Sequence, residues 1–185
     1  MGGTGDRVLA AFVKAVDGLN ERVGRWTSWL VLTMVVNTFL VAVLRYGFDL
    51  GWVWLQELYV WMHGTIIMVA AGYTLLHDGH VRVDIFYREM REPGRALVNA
   101  LGTALFLLPL TVFLIWSSWD YASLSWEIHE TSREAGGMIF PFPSIMKSFI
   151  PATAFLLLLQ GIATEARNIS ILIAAKHFEQ STNRL

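Results

Sequence analysis

The chain has 185 residues, of which 55% are hydrophobic and only 16% charged, and its formal net charge is −1. A soluble domain usually carries about 25% charged residues, so this composition indicates a membrane protein. The near-neutral charge excludes a nucleic-acid-binding protein dominated by electrostatics, and the lack of cysteine excludes disulfides and thiolate metal sites.

Residues 5–25 are predicted to form a separate amphipathic helix. On a helical wheel seven apolar residues share one arc that only Asn20 interrupts: Val8, Leu9, Phe12, Val13, Val16, Leu19 and Val23. Such a helix lies in the headgroup plane of a membrane, and the alternative is packing against a soluble partner. We predict contacts with phospholipid headgroups from Arg7, Phe12, Lys14, Arg22 and Trp26.

Four long runs without a formal charge follow this helix. They are Trp26–Leu44, Leu58–Leu76, Ala96–Trp119 and Ser148–Thr164. Because crossing the hydrocarbon core takes about 20 residues, each run predicts a transmembrane helix. The predicted fold is an all-α integral membrane protein with spans at about 26–46, 54–76, 96–120 and 145–166. The membrane domain would cover 26–170, with a tail at 171–185 and a first span retained as a signal anchor.

The lysines and arginines predict the orientation of these spans. Eleven of the 14 lie before span 1, between spans 2 and 3, or after span 4, against Arg45, Arg133 and Lys147 in the other connections. The positive-inside rule therefore places both termini and the loop at 77–95 in the cytoplasm.

The sequence "HDGH" at 77–80 is the strongest candidate for a metal site, but its spacing argues against one. A hydrolytic zinc site needs three protein ligands in fixed geometry, and Gly79 is expected to end the helix that would align His77 and His80. We interpret the segment as the end of span 2, where cations suit a helix C-terminus and anionic headgroups. His63, the histidine within a span, is expected to pack inside the bundle.

The interiors of the spans contain no aspartate, glutamate, lysine or arginine. Ion-driven carriers usually place such groups or broken helices near the membrane midplane, so these four helices are better suited to a subunit than to a lone transporter. Six polar residues within the spans can serve as hydrogen-bonding contacts between helices: Asn37, Gln160, Thr33, Thr38, Thr65 and Thr103. Arg45 and Glu57 are predicted at the same membrane boundary as Asp120, and they pair either with each other or with a partner protein.

Three short motifs resemble a known family. "RYGF" (Arg45–Phe48), "WLQE" (Trp54–Glu57) and "GHVRVD" (Gly79–Asp84), in this order, resemble the small membrane subunit, of DctQ type, of tripartite ATP-independent periplasmic (TRAP) transporters. The resemblance covers about residues 25–170. It makes the following residues candidates for a partner interface or a family motif: Arg45, Tyr46, Trp54, Glu57, His80, Arg82, Asp84 and Asp120.

The resemblance implies two protein partners. One is a large multi-span membrane subunit that carries the sodium and substrate sites, and the other is a periplasmic binding protein that delivers an organic acid. The chain itself would be a non-enzymatic scaffold without a cofactor in the bacterial inner membrane. Two rival interpretations are a haem- or quinone-binding membrane anchor of a redox complex and a small stand-alone exporter.

Overall fold

A computed structural model of the chain describes residues 4–81 and 85–182. Those residues form helices joined by turns and loops, and they form no strand. The helices are α1 (Thr4–Phe48), α2 (Val53–Val69), α3 (Ala71–Leu76), α4 (Glu92–Gly102), α5 (Leu108–Glu127) and α6 (Phe142–Thr182). Four segments are long and apolar enough to cross a membrane, which confirms the four predicted membrane helices: Arg7–Phe48, Val53–Leu76, Glu92–Glu127 and Phe142–Gln180.

The connections define two ends of the helical bundle. We call the end with the turn at 49–52 and the loop at 128–141 the loop end, and the opposite end, with the chain termini, the terminus end. α2 and α3 follow one another across Ala70, whose neighbours keep a continuous ladder of backbone hydrogen bonds, so they act as one span. The 41 residues of α6 extend through 171–182, the segment predicted as a tail.

The structure does not confirm a separate N-terminal surface helix, because α1 runs without a break for 45 residues. No proline interrupts this stretch, and its length of about 67 Å exceeds the roughly 30 Å hydrocarbon core. From Val16 onward one stripe of α1, which includes Asn20, Gly24 and Thr27, is buried. Gly24 lies against the Tyr73 ring, where an added Cβ would come within 2.2 Å of a ring carbon. This part of the predicted membrane-facing arc therefore packs on protein.

The span formed by α2 and α3 ends where the sequence predicts, but a different residue makes the turn. Asp78, with φ of 55°, adopts the left-handed conformation expected of Gly79. The Gly79 amide donates to the Thr74 carbonyl at 2.8 Å, and the Asp78 amide donates to Leu75 at 3.2 Å. These two bonds form a Schellman motif, and aspartate tolerates the left-handed region better than most residues.

The third span changes its helical pitch near its proline. A π-helical turn, Thr103–Leu107, joins α4 to α5 just before Pro109. Proline has no amide hydrogen to donate to the carbonyl four residues earlier, and a π turn is one way for a helix to absorb such a defect.

Small side chains form much of the buried core. α5 and α6 share the most extensive contact between helices. The alanines that are at most 8% exposed are Ala96, Ala100, Ala122, Ala154 and Ala163. Small residues let helix backbones approach closely, which is how membrane helices associate without a strong hydrophobic driving force.

Candidate functional site

Glu57 lies at the loop end of α2 and holds the loop at 128–141. Its Oε2 accepts a hydrogen bond from the Met138 amide at 2.6 Å, and its Oε1 accepts one from the Ser132 hydroxyl. Met138 is only 5% exposed, so its amide depends on this carboxylate. Glu57 thus binds the chain's own loop, and the internal ion pair with Arg45 is absent from the described contacts.

The backbone near Glu57 strengthens the same attachment. The Trp54 amide, which has no partner within the first turn of α2, donates to the Gly136 carbonyl at 3.1 Å. A Cβ on Gly137 would lie 2.5 Å from the Ser132 hydroxyl oxygen and 2.7 Å from Oε1 of Glu57, so this position needs glycine. The Trp54–Glu57 pair of the motif therefore joins α2 to the loop.

A second attachment joins the loop to α6. Lys147 donates to Oε2 of Glu130 at 2.5 Å, and its ammonium lies 4.1 Å from the centre of the Tyr121 ring. The hydrogen bond from Lys147 holds the pKa of Glu130 below its ordinary value of 4.5. A hydrogen bond between two serines also joins α5 to α6 here, since the hydroxyls of Ser125 and Ser144 lie 3.0 Å apart.

The other predicted residues at the loop end take no part in the described attachments of this loop. Arg45, Tyr46 and Asp120 are exposed, and Tyr46 has 86% of its surface accessible. Within residues 4–81 and 85–182, no side-chain hydrogen bond or ion pair of these three residues is found. Their role as contacts to a partner protein remains a prediction.

At the terminus end, a polar network joins α1 to α6, and Gln160 is the member of it that the sequence predicts as a contact between helices. Asn20 and Gln160, both fully buried, are linked by a 2.8 Å hydrogen bond. Gln160 also donates to Asp17 at 3.1 Å, and Asp17 accepts from Arg167. The signal in the sequence was Asn20 within the apolar arc of α1, together with Gln160 within the fourth apolar run. The predicted role of Gln160 in joining helices is confirmed.

Asn37 has the equivalent role nearer the loop end. Its side-chain amide donates to the Leu55 carbonyl at 3.1 Å and so joins α1 to α2. The side chain is 6% exposed, so the bond forms inside the helix pair. This arrangement confirms the interhelical hydrogen bond predicted for Asn37. The same prediction is wrong for Thr33 and Thr38, whose hydroxyls donate to carbonyls four residues earlier in α1.

The histidines of the "HDGH" segment do not converge on one site. His77 lies 2.7 Å from Oε2 of Glu21, and Oε1 of the same carboxylate accepts a hydrogen bond from Arg25. His80 is exposed, and no cluster of three metal-ligating side chains occurs among the residues that the structure describes. Arg82 and Asp84, the remaining candidates of the third motif, lie outside the described residues.

Of the predicted membrane-surface residues, Arg7, Lys14, Arg22 and Trp26 are exposed and Phe12 is half-buried. Trp26 has 77% of its surface accessible. Their contact with lipid headgroups remains a prediction, because the structure contains no membrane.

His63 lies on the outside of the bundle, which corrects the prediction that it packs inside. It is exposed, and no hydrogen bond to its ring is found within 4–81 and 85–182. A laterally open groove of about 440 Å³ lies on another side of α2, between α2, α5, α6 and the loop at 128–141. Its lining residues include Glu57, Trp61, Met68, Glu130, Arg133, Met146 and Lys147.

The comparisons with known proteins give one match. The family described as tripartite ATP-independent periplasmic transporters, DctQ component, matches residues 16–170. No curated protein and no solved structure gives a significant match. The matched range contains the charge-free part of all four spans, the Trp54–Glu57 pair and the network at Gln160.

Proposed function

We propose that this chain, which belongs to the DctQ family of small TRAP transporter components, is a non-catalytic scaffold that braces the large membrane subunit. The observation that carries the proposal is the distribution of charge. The apolar runs Trp26–Leu44, Leu58–Leu76, Ala96–Trp119 and Ser148–Thr164 contain no charged side chain, and outside them Glu57 and Asp17 bind other parts of the same chain. The buried amides Asn20, Asn37 and Gln160 are used in contacts between helices.

This arrangement supports a static subunit. A transport site needs polar or ionisable groups that can exchange partners at the depth of the membrane. Here the buried polar groups connect α1 to α2 and to α6, and Glu57 connects the loop at 128–141 to the bundle. We propose that the large subunit carries the sodium and substrate sites, and that a periplasmic binding protein delivers an organic acid to it.

The charge distribution also supports an orientation. We propose that the terminus end faces the cytoplasm and the loop end faces the periplasm in the bacterial inner membrane, following the eleven-to-three bias of basic residues. The terminus end would then place Arg7, Lys14 and Arg22 near anionic headgroups. The loop end would face the side from which the binding protein arrives.

Co-purification tests the assignment to a partner. The affinity-tagged chain is co-expressed with the large membrane subunit of the same transporter and extracted in mild detergent. We expect a stable complex that contains both chains. We also expect that the purified small subunit shows no Soret absorption band, which a haem-binding membrane anchor would show. A large subunit that purifies and transports at full rate without this chain would contradict the scaffold role.

A further inference from the structure

His63 is a polar side chain at the middle of a span, and it has no hydrogen-bond partner among the residues that the structure describes. It lies ten residues after Val53 and thirteen before Leu76, the ends of the second membrane segment. At 1.5 Å per residue these separations are about 15 Å and 20 Å, too far for an imidazole to reach either headgroup region. Polar residues at this depth almost always face a bundle interior or a partner, because hydrocarbon offers no hydrogen bond.

The surface around His63 has the pattern of one helix face. Val60 and Ile67, three residues before and four residues after His63, are 52% and 61% exposed. We call Val60, His63 and Ile67 the His63 face. By contrast, the exposed side chains of Val36 on α1 and Phe113 on α5 are apolar and suit lipid. The exposed hydroxyl of Thr38 on α1 donates to the Met34 carbonyl of its own helix at 2.8 Å, so it needs no partner.

The His63 face also borders the groove between α2, α5 and α6. Val60 lies at the edge of this groove, whose wall includes Trp61 and Met68 of α2 and Met146 of α6. His63 itself does not line the groove, because Trp61 and Met68 lie on another side of α2. The imidazole is instead flanked by the exposed apolar side chains of Val60 and Ile67. A surface of this kind favours an apolar helix with one hydrogen-bonding group as its occupant.

We propose that the His63 face is the contact surface for a transmembrane helix of the large subunit, which places a hydrogen-bonding group opposite the imidazole. This inference rests on the proposed function, because it assumes that the large subunit is the partner. The inference goes further than the proposed function in two ways. It says which face of the small subunit the large subunit covers, and which polar side chain orients the contact. The exposed apolar side chains Val36 and Phe113 would remain in lipid.

Photo-crosslinking tests the location of the contact. A photoreactive phenylalanine analogue replaces Val60 or Ile67 in the small subunit of the intact complex, with Phe113 as the matched control position. We expect an adduct with the large subunit from positions 60 and 67 and none from 113. An adduct from 113 alone, or an adduct between two copies of the small subunit from 67, would overturn the inference.

A substitution tests the role of the imidazole. One interhelical hydrogen bond in a membrane changes the association constant of two helices by about three- to fifteen-fold. His63→Leu should therefore weaken binding of the large subunit by the same factor. His63→Asn, which retains a donor and an acceptor, should bind more tightly than His63→Leu. Equal affinity of His63→Leu and the wild-type chain would overturn the polar contact.

Failure of this inference can be distinguished from failure of the proposed function. If the two subunits co-purify but positions 60 and 67 crosslink only to lipid, the proposed function stands and the His63 face is wrong. If the two subunits form no complex under any condition, both are wrong. The crosslinking positions do not alter His63, so this test is independent of how His63→Leu affects folding.

Discussion

Glu57→Ala should release the loop at 128–141 without unfolding the bundle. In the wild-type chain the buried Met138 amide donates to Glu57 at 2.6 Å, and the Ser132 hydroxyl donates to the other carboxylate oxygen. A hydrogen bond to a charged group contributes about 1.5–3 kcal/mol. Because about 1.4 kcal/mol is a factor of ten, loss of the Met138 bond should speed exchange of that amide by about 10- to 150-fold.

Hydrogen–deuterium exchange of the chain in lipid nanodiscs measures this effect directly. Peptides that cover 129–141 should exchange faster in Glu57→Ala, while peptides from α5 and α6 should be unchanged. Glu57→Gln should have a smaller effect, since one amide oxygen still accepts from Met138. Asp120→Ala removes an exposed carboxylate at the same end and is the matched control. Equal exchange of the loop in Glu57→Ala and wild type would refute the attachment that we derive.

Three further predictions concern the free energy of unfolding, measured by thermal or denaturant unfolding in detergent. Gly72→Ala places a Cβ 2.2 Å from Oδ1 of Asn20 and should destabilise the chain by about 1–3 kcal/mol, whereas Gly18→Ala, with nothing within 4 Å, should not destabilise it. A double-mutant cycle of Asn20→Ala and Gln160→Ala should give a coupling energy of about 0.6–1.7 kcal/mol, and a value near zero would contradict the network. Because folding lowers the pKa of Glu130 below 4.5, its ionised carboxylate stabilises the folded chain above pH 4.5. This stabilisation is lost as the pH falls through the pKa of Glu130 in the folded chain. The free energy of unfolding of Glu130→Gln should therefore fall less in acid than that of the wild-type chain.

The number and approximate position of the spans were predictable because each depends on a local property, the length of an uncharged apolar run. Gln160 and Asn37 could be assigned to helix contacts for a related reason, since a polar amide in such a run needs a partner. The continuous α1 was harder to predict. Its apolar arc at 5–25 has the same pattern whether it faces headgroups or a neighbouring helix, and only the packing against α6 decides between them.

The partners of individual side chains depend on geometry that the sequence does not contain. Arg45 and Glu57 are close along the chain and opposite in charge, yet Glu57 binds a loop about 75 residues further on. His63 was expected inside the bundle because burial is usual for such residues, and the rotation of α2 that exposes it follows from tertiary contacts. That exposure is a reason to look for a partner of His63 on another protein rather than for an internal site.

Reconstituted transport tests the central claim most directly. Liposomes are prepared with this chain alone, with the large subunit alone, and with both, and the binding protein is supplied loaded with the organic acid that most raises its melting temperature. We predict sodium-gradient-driven uptake only when the large subunit is present, with the highest rate when both membrane subunits are present. Uptake of the same acid by liposomes that contain this chain alone would contradict the account.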